Sequence, residues 1–291
     1  MSEPLKANFF IAGMPRSGTT SMYTYLKQHP EIYLSLYKEP NFFSRDLTQS
    51  DYNIQDETVY HSLFAHAGEK PCIGEGSVWY LTSKIAAAEI KTYNPAAKIV
   101  IMLRNPVDMI YSLHGLYVRT GNENIEDFRQ ALAAEAQRMK GDHIPRGCYF
   151  PEGLFYTEVA RYYDKIRRFA DVFGLENIHV VIFDDFAAET ARSYRDTLRF
   201  LGVNSAFEAE YNLPRAAARI RPLVLDQLRR AHPEVKRKLG SKTGLRAHQS
   251  PSRTPLTPAR RGRLQDLFRE DIDRTGRLIG RDLSGWLDER E

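Results

Sequence analysis

Residues 8–20 read NFFIAGMPRSGTT, and this stretch decides the fold. Asn8 to Ala12 is a short apolar run, the pattern of a buried strand. Gly13 to Gly18 follows as a turn, with a glycine at each end where the backbone must bend and approach a ligand closely. Thr19 to His29 reads as a helix that Pro30 stops. In a strand–turn–helix of this kind the backbone N–H groups of the turn point inward, and the helix N-terminus adds positive potential. Together they form a cradle for an anion.

Working outward, short apolar runs alternate with amphipathic helical stretches, the signature of an α/β fold with a mostly parallel sheet flanked by helices. Lys98 to Leu103 (KIVIML) is the clearest strand, and Ile178 to Phe183 (IHVVIF) is another. Pro106 sits where a helix can begin, and that helix is expected to run to about Arg119. Gly153 to Phe173 has apolar and aromatic residues at helical spacing, Arg192 to Leu201 is a further helix ended by Gly202, and Thr257 to Ile279 is a closing helix with Trp286 packing after it. Residues 120–150 read as an insertion carrying one helix. Residues 239–258, rich in Gly, Ser, Thr, Pro and basic residues, read as a long loop of the sort that is often functional. No stretch has the composition of a linker, so one domain over 1–291 is expected.

Composition narrows the class. The chain has 291 residues, 42% hydrophobic and 27% charged, as in ordinary globular proteins. The formal net charge is +4, with basic and acidic residues interleaved except in the distinctly basic stretch Arg215 to Arg263, so nucleic acid is not the expected partner. The two cysteines, Cys72 and Cys148, form no metal pattern or disulfide framework and are read as reduced thiols. The apolar run Phe9 to Ala12 is too short for a signal peptide or a membrane span, which gives the expectation of a cytoplasmic protein with no integral membrane segment.

The turn has the spacing of the Walker A loop, GxxxxGK[ST], but Thr19 stands where the lysine belongs, and the positive charge lies inside the loop at Arg16. A nucleotide hydrolase also needs an acid at the end of a neighbouring strand to hold magnesium. Here the best strand ends in Leu103-Arg104-Asn105, and an arginine there suits a bare phosphate. Ser112 follows eight residues after Arg104 on the predicted helix, where its hydroxyl and the Arg104 fork can converge on one phosphate at the C-terminal edge of the sheet.

Together, PRSGTT (Pro15 to Thr20) and LRNPVDMIYS (Leu103 to Ser112) resemble the phosphate-binding segments of the sulfotransferases that use 3'-phosphoadenosine 5'-phosphosulfate (PAPS). GLFYTEVARYYDKIRRF (Gly153 to Phe169), IHVVIFDDF (Ile178 to Phe186) and the ending Leu283 to Trp286 are similar as well. KEPNFF (Lys38 to Phe43) is similar to the bacterial and heparan-type carbohydrate branches. The resemblance implies a P-loop-type sulfotransferase fold. It implies PAPS as donor with 3'-phosphoadenosine 5'-phosphate (PAP) as product, no metal, and a small-molecule or carbohydrate acceptor.

The same resemblance implies the roles of residues. Arg16 stabilises the leaving phosphate, and Ser17, Gly18, Thr19 and Thr20 fix the 5'-phosphate. Arg104 and Ser112 bind the 3'-phosphate, and Glu39 is the general base. Glu75, within Gly74-Glu75-Gly76-Ser77, is expected to orient the acceptor. The heparan-type branch carries lysine where this chain has Gly76. Lys242, Gly244, Leu245 and Arg246 resemble a basic loop near the cofactor phosphates. Trp79 and Tyr80, with Phe42 and Tyr149, are candidates to line an acceptor pocket, and His114 competes as a base. Two other classes stay open on the residues alone: a P-loop kinase or NTPase, and a non-catalytic nucleotide-binding protein on the same fold.

Overall fold

The computed structural model describes residues 5–35, 37–48, 53–211 and 256–288. In chain order its elements are β1 (Phe9–Gly13), α1 (Thr19–Leu26), β2 (Ile32–Leu34), α2 (Glu57–Ser62), β3 (Cys72–Gly76), α3 (Ala86–Tyr93), β4 (Lys98–Leu103), α4 (Pro106–Thr120), α5 (Phe128–Ala133), α6 (Glu135–Arg138), α7 (Tyr156–Val159), α8 (Tyr163–Phe173), β5 (Ile178–Ile182), α9 (Phe183–Ala188), α10 (Thr190–Leu201) and α11 (Pro258–Ile279). The chain folds as two compact units. The first takes residues 1–46, 51–103 and 169–241, and the second takes 47–50, 104–168 and 242–291.

The first unit holds the sheet. Among the described residues it has five strands in the order β2-β3-β1-β4-β5, every neighbouring pair parallel. β1 and β4 are buried on both faces and read as near-continuous apolar runs, whereas the three-residue β2 and the Gly- and Glu-bearing β3 (CIGEG) give no such signal. On one face Phe9, Ile11, Val100 and Met102 pack with Met22, Tyr23 and Leu26 of α1 and with Tyr194, Leu198 and Leu201 of α10. On the other, Phe10 meets the rings of Phe43, Tyr80 and Tyr93. The glycines of β3 answer the aromatics of the first face: a Cβ at Gly74 would lie 2.3 Å from the Phe9 ring.

Parallel register places all the strand C-termini at one edge. Ile11 pairs with Gly76, and Gly13 with Met102. The turn after β1 and the segment after β3 therefore emerge side by side, the usual position of a ligand site in an open α/β sheet.

The second unit is helical. Asn105 caps α4, its side chain accepting from Val107 N at 3.0 Å, and Gly121 ends the helix in the left-handed conformation at φ 73°. Asn105 Nδ2 also donates to Trp286 O at 3.0 Å, and Gln265 of α11 donates to the same carbonyl at 3.1 Å, so the chain end is tied to two helix segments. An Arg261–Asp108 ion pair at 2.6 Å joins α11 to the first turn of α4.

Two expectations need correction here. Residues 120–150 carry two short helices, α5 and α6, where one was expected. What holds them is a buried ion pair that a linear pattern cannot reveal. Arg138 grips Glu123 with two hydrogen bonds of 2.6 Å, both side chains are wholly buried, and Tyr156 OH donates to the same carboxylate at 2.9 Å. Gly153 to Phe173 is likewise not continuous. It breaks into a 3-10 turn at Pro151–Leu154, then α7 and α8. The break before α8 is fixed by Asp271 of α11, whose carboxylate accepts from Tyr162 N at 2.6 Å and Tyr163 N at 3.3 Å. The expectation of no integral membrane segment meets one fact: among the described residues no helix is long and apolar enough to cross a membrane.

The close approach at the end of β1 gives a test. A Cβ on Gly13 would sit 2.4 Å from Met102 O, at a φ of 136°. Gly13→Ala is expected to lower the urea unfolding free energy by about 2–4 kcal/mol. Gly121→Ala, where no atom lies within 4 Å, should lose only about 1 kcal/mol.

Candidate functional site

The phosphate loop begins where β1 stops. Met14 N donates to Met102 O at 2.9 Å, which closes the strand, and the chain then turns through Pro15. Arg16 takes a left-handed φ of 65°, rare for a residue with a side chain, and its side chain is exposed. Gly18, at φ 85°, is the N-cap of α1 and has no side chain to cap with; a Cβ there would already touch Phe186 at 3.1 Å. The first-turn amides of α1 therefore have neither an intrahelical nor a side-chain acceptor, and no acidic residue stands in that turn to offset their positive potential.

Ser17 adds a further mark. It is wholly buried, and its Oγ has no hydrogen-bond partner among the described residues. A buried hydroxyl left unpaired beside open amides fits a loop built around an anion.

Beside the loop, at the same sheet edge, lies the KEPNFF segment. Glu39 N donates to Gly76 O at 2.8 Å, and the Glu39 carboxylate accepts from Val78 N at 2.9 Å through Oε2 and pairs with Lys38 Nζ through Oε1. Glu39 and Asn41 both hold left-handed backbone, at φ 66° and 52°. Two non-glycine residues in that region within three positions mark a segment that its surroundings force into shape. The Glu39 side chain remains 21% exposed, so the carboxylate is fixed yet open to a ligand.

In the second unit, Arg104 follows directly on β4, is half-buried, and its carbonyl accepts from Tyr162 OH at 2.9 Å. Ser112 lies within α4, also half-buried. Both expected 3'-phosphate residues thus fall on one short segment of that unit.

Residues 6–276 match the sulfotransferase domain family. The chain belongs to that family. A sulfotransferase from Alicyclobacillus acidocaldarius superposes with a TM-score of 0.77 at 31% identity, over 98% of this chain and 100% of that one. Carbohydrate sulfotransferase 15 of Mus musculus is 24% identical over 256 residues, covering 70% of this chain and 45% of that protein. The bifunctional heparan sulfate N-deacetylase/N-sulfotransferase 1 of Caenorhabditis briggsae is 22% identical over 195 residues, 64% of this chain and 21% of that protein. The chain spans less than half the length of these curated relatives.

In this sulfotransferase domain Glu75 lies inside β3 and is 0% exposed. Its Oε1 accepts from Tyr80 OH at 2.6 Å and Tyr60 OH at 3.3 Å, and its Oε2 from Ser77 Oγ at 2.9 Å. Trp79 and Tyr80 are buried, Tyr80 wholly, and belong to the core. Phe42 is stacked on Tyr60 at 4.3 Å, also in the core, while Tyr149 is half-buried. His114 is buried too: its ring packs on Phe128 and Tyr156, and Nε2 lies 2.9 Å from Ile125 O. At Gly76 a Cβ would lie 3.0 Å from the Tyr23 ring, a tight contact for any side chain. Lys242, Gly244, Leu245 and Arg246 lie outside the described residues. Among the described residues no group of three or more His, Cys, Asp or Glu is placed to hold a metal ion.

Burial pushes the Glu75 carboxyl up to about 7 from its ordinary 4.5, although the Tyr80 and Ser77 hydroxyls favour its charged form; the nearby Glu39 charge adds to the rise. An acid whose folded pKa is raised binds its proton more tightly when folded. Its contribution to stability is complete below about 4.5 and is lost as pH rises through about 7. The unfolding free energy of the native chain, relative to Glu75→Gln, should therefore fall by up to about 3 kcal/mol between those two pH values. Urea unfolding of both proteins across that range checks this, and a flat difference would show that Glu75 does not titrate there.

Proposed function

We propose that this sulfotransferase moves the sulfuryl group of PAPS to a hydroxyl or amine of a small-molecule or carbohydrate acceptor, with Glu39 as general base. The observation that carries the reading is the pairing, at one sheet edge, of an uncapped anion-binding loop with a fixed, partly exposed carboxylate. The loop supplies charge for a phosphosulfate, and the carboxylate can take the proton an acceptor must lose as it attacks. Bound PAPS would supply the activated sulfuryl group and a bisphosphate leaving group.

This chain's own residues would do the rest. The backbone amides from Ser17 to Thr20 and the hydroxyls of Ser17, Thr19 and Thr20 hold the 5'-phosphate. Arg16 presents its guanidinium where negative charge grows on the leaving oxygen, an interaction stronger in the transition state than before it. Arg104 and Ser112 bind the 3'-phosphate. Lys38 pairs with one oxygen of Glu39 and Val78 N holds the other, so one carboxylate orientation faces the acceptor. The carbohydrate and heparan sulfate names of two relatives support a sugar as the acceptor class. Action inside the cytoplasm is part of the same proposal.

Calorimetry with PAP, with and without magnesium, and with ATP plus magnesium, tests the donor half. PAP should bind without the metal; a response to ATP and magnesium alone would favour an NTPase. Transfer from labelled PAPS to phenolic, amine and carbohydrate acceptors tests the other half, and absence of transfer to any of them would favour a non-catalytic protein. Arg16→Ala should slow transfer by about 10²–10³-fold. Glu39→Gln should slow it by about 10²–10⁴-fold while PAP affinity stays within about twofold. Unchanged transfer by Glu39→Gln would remove Glu39 as the base.

A further inference from the structure

Among the described residues no cation lies against the Glu75 carboxyl, which is enclosed by aromatic rings on β3. Burial of an unpaired carboxylate is costly, so its retention asks for a purpose. The hydrogen bonds supply one. Ser77 Oγ donates to Glu75 at 2.9 Å and accepts from Asn41 N at 3.0 Å. Tyr80 OH donates to Glu75 at 2.6 Å and accepts from Phe43 N at 3.4 Å. Two hydroxyls thus relay the same carboxylate to two amides of one segment, and the direction of each relay is set at Glu75. An ionised carboxylate only accepts, so both hydroxyl protons must point to it, which leaves their lone pairs for the amides.

The amides so held flank the strained backbone of the KEPNFF segment. Glu39 and Asn41 are both left-handed, and Asn41 Nδ2 donates back to Glu39 O at 3.2 Å. A left-handed residue persists only when its surroundings over-determine it. Here the restraints are Gly76 O on the Glu39 amide, Val78 N on the Glu39 carboxylate, and the two hydroxyls on Asn41 and Phe43. Three of the four come from residues 76–78, and the two hydroxyl restraints depend on Glu75.

We propose that Glu75 is a positioning residue: as the shared acceptor of Ser77 and Tyr80 it locks the backbone at Asn41 and Phe43 and so sets the geometry in which Glu39 meets the acceptor. The inference rests on Glu39 being the general base. The lock belongs to the ionised form: protonation would give the carboxyl a proton of its own to donate and oblige one hydroxyl to turn round. Glutamine does the same permanently. Its amide can accept through oxygen only, so one of the two hydroxyls loses the acceptor for its proton.

The test uses the full chain with Glu75→Gln, Ser77→Ala and Tyr80→Phe, and Glu39→Gln as reference. Amide hydrogen exchange is followed in peptides covering residues 37–44 and, as a control for folding, residues 72–76. Transfer from labelled PAPS is measured with p-nitrophenol and with chondroitin as acceptors. Glu75→Gln should speed exchange at Asn41 and Phe43 by at least about tenfold while the strand peptide stays protected. It should lower kcat by about tenfold or more with the KM for PAPS within about twofold, a split that mere loss of folded protein would not give. Ser77→Ala should show the exchange effect at Asn41 and a smaller loss of kcat, and adding it to Glu75→Gln should change little further. Wild-type exchange over 37–44 in all three variants overturns the proposal, as does wild-type kcat in Glu75→Gln while Glu39→Gln is inactive. If neither acceptor is sulfated, the exchange result decides alone. Full activity in Glu39→Gln would instead overturn the reading of the base.

Discussion

The backbone of Gly13 lies so close to the Met102 carbonyl that no side chain fits between them, and much of the rest follows from that contact. It seals the end of β1 against β4, so the chain must leave the sheet at residue 14 and cannot drift further along the ladder. The loop then has only four residues, 14–17, before Gly18 caps the helix. In that short span the amides have little choice but to converge. The parallel register carries the consequence sideways: with Ile11 opposite Gly76, the segment after β3 surfaces beside the loop, and the KEPNFF segment is tethered there through Gly76 and Ser77.

The two buried carboxylates show how the same problem is solved in opposite ways. Burial alone would raise the Glu123 carboxyl, but Arg138 and the backbone amides at Asn124 and Ile125 outweigh it and hold it below the usual range. It is a permanently charged clasp for residues 121–150 of the second unit. Glu75 has hydroxyls where Glu123 has a guanidinium, and burial wins. The first arrangement resists change in pH; the second is poised near neutrality. Both depend on tyrosine hydroxyls donated from a neighbouring element, Tyr156 in one case, Tyr60 and Tyr80 in the other.

What a sequence reveals is what repeats or sits within a few residues. The strand Lys98 to Leu103, the loop from Gly13 and the capped helices at Asn105 and Thr257 are legible because pattern, turn chemistry and cap all lie in one short window. Helix α8 starts late because Asp271, more than a hundred residues away, caps it, and the two helices of residues 121–150 hang on a pair fifteen apart. Those are tertiary facts. The same limit governs the site. Arg16 and Glu39 stand out in their motifs, yet the motif could not tell that Glu75 is enclosed, that His114 is bound to a carbonyl, or that Tyr80 belongs to the core. An acid followed two and five residues later by Ser77 and Tyr80 is the one local hint that its partners are hydroxyls.

The ring of Tyr23 over Gly76 couples two distant positions of the chain. Tyr23 is itself fixed, its hydroxyl bonded to Ser35 O, and Ser35 Oγ in turn bonds Tyr37 O at 2.6 Å. A side chain at residue 76 must therefore displace the Tyr23 ring by a few tenths of an ångström, and the strain reaches the Ser35–Tyr37 contacts that precede residue 38. Residues 23 and 76 are thus energetically coupled, so their substitutions are not expected to add.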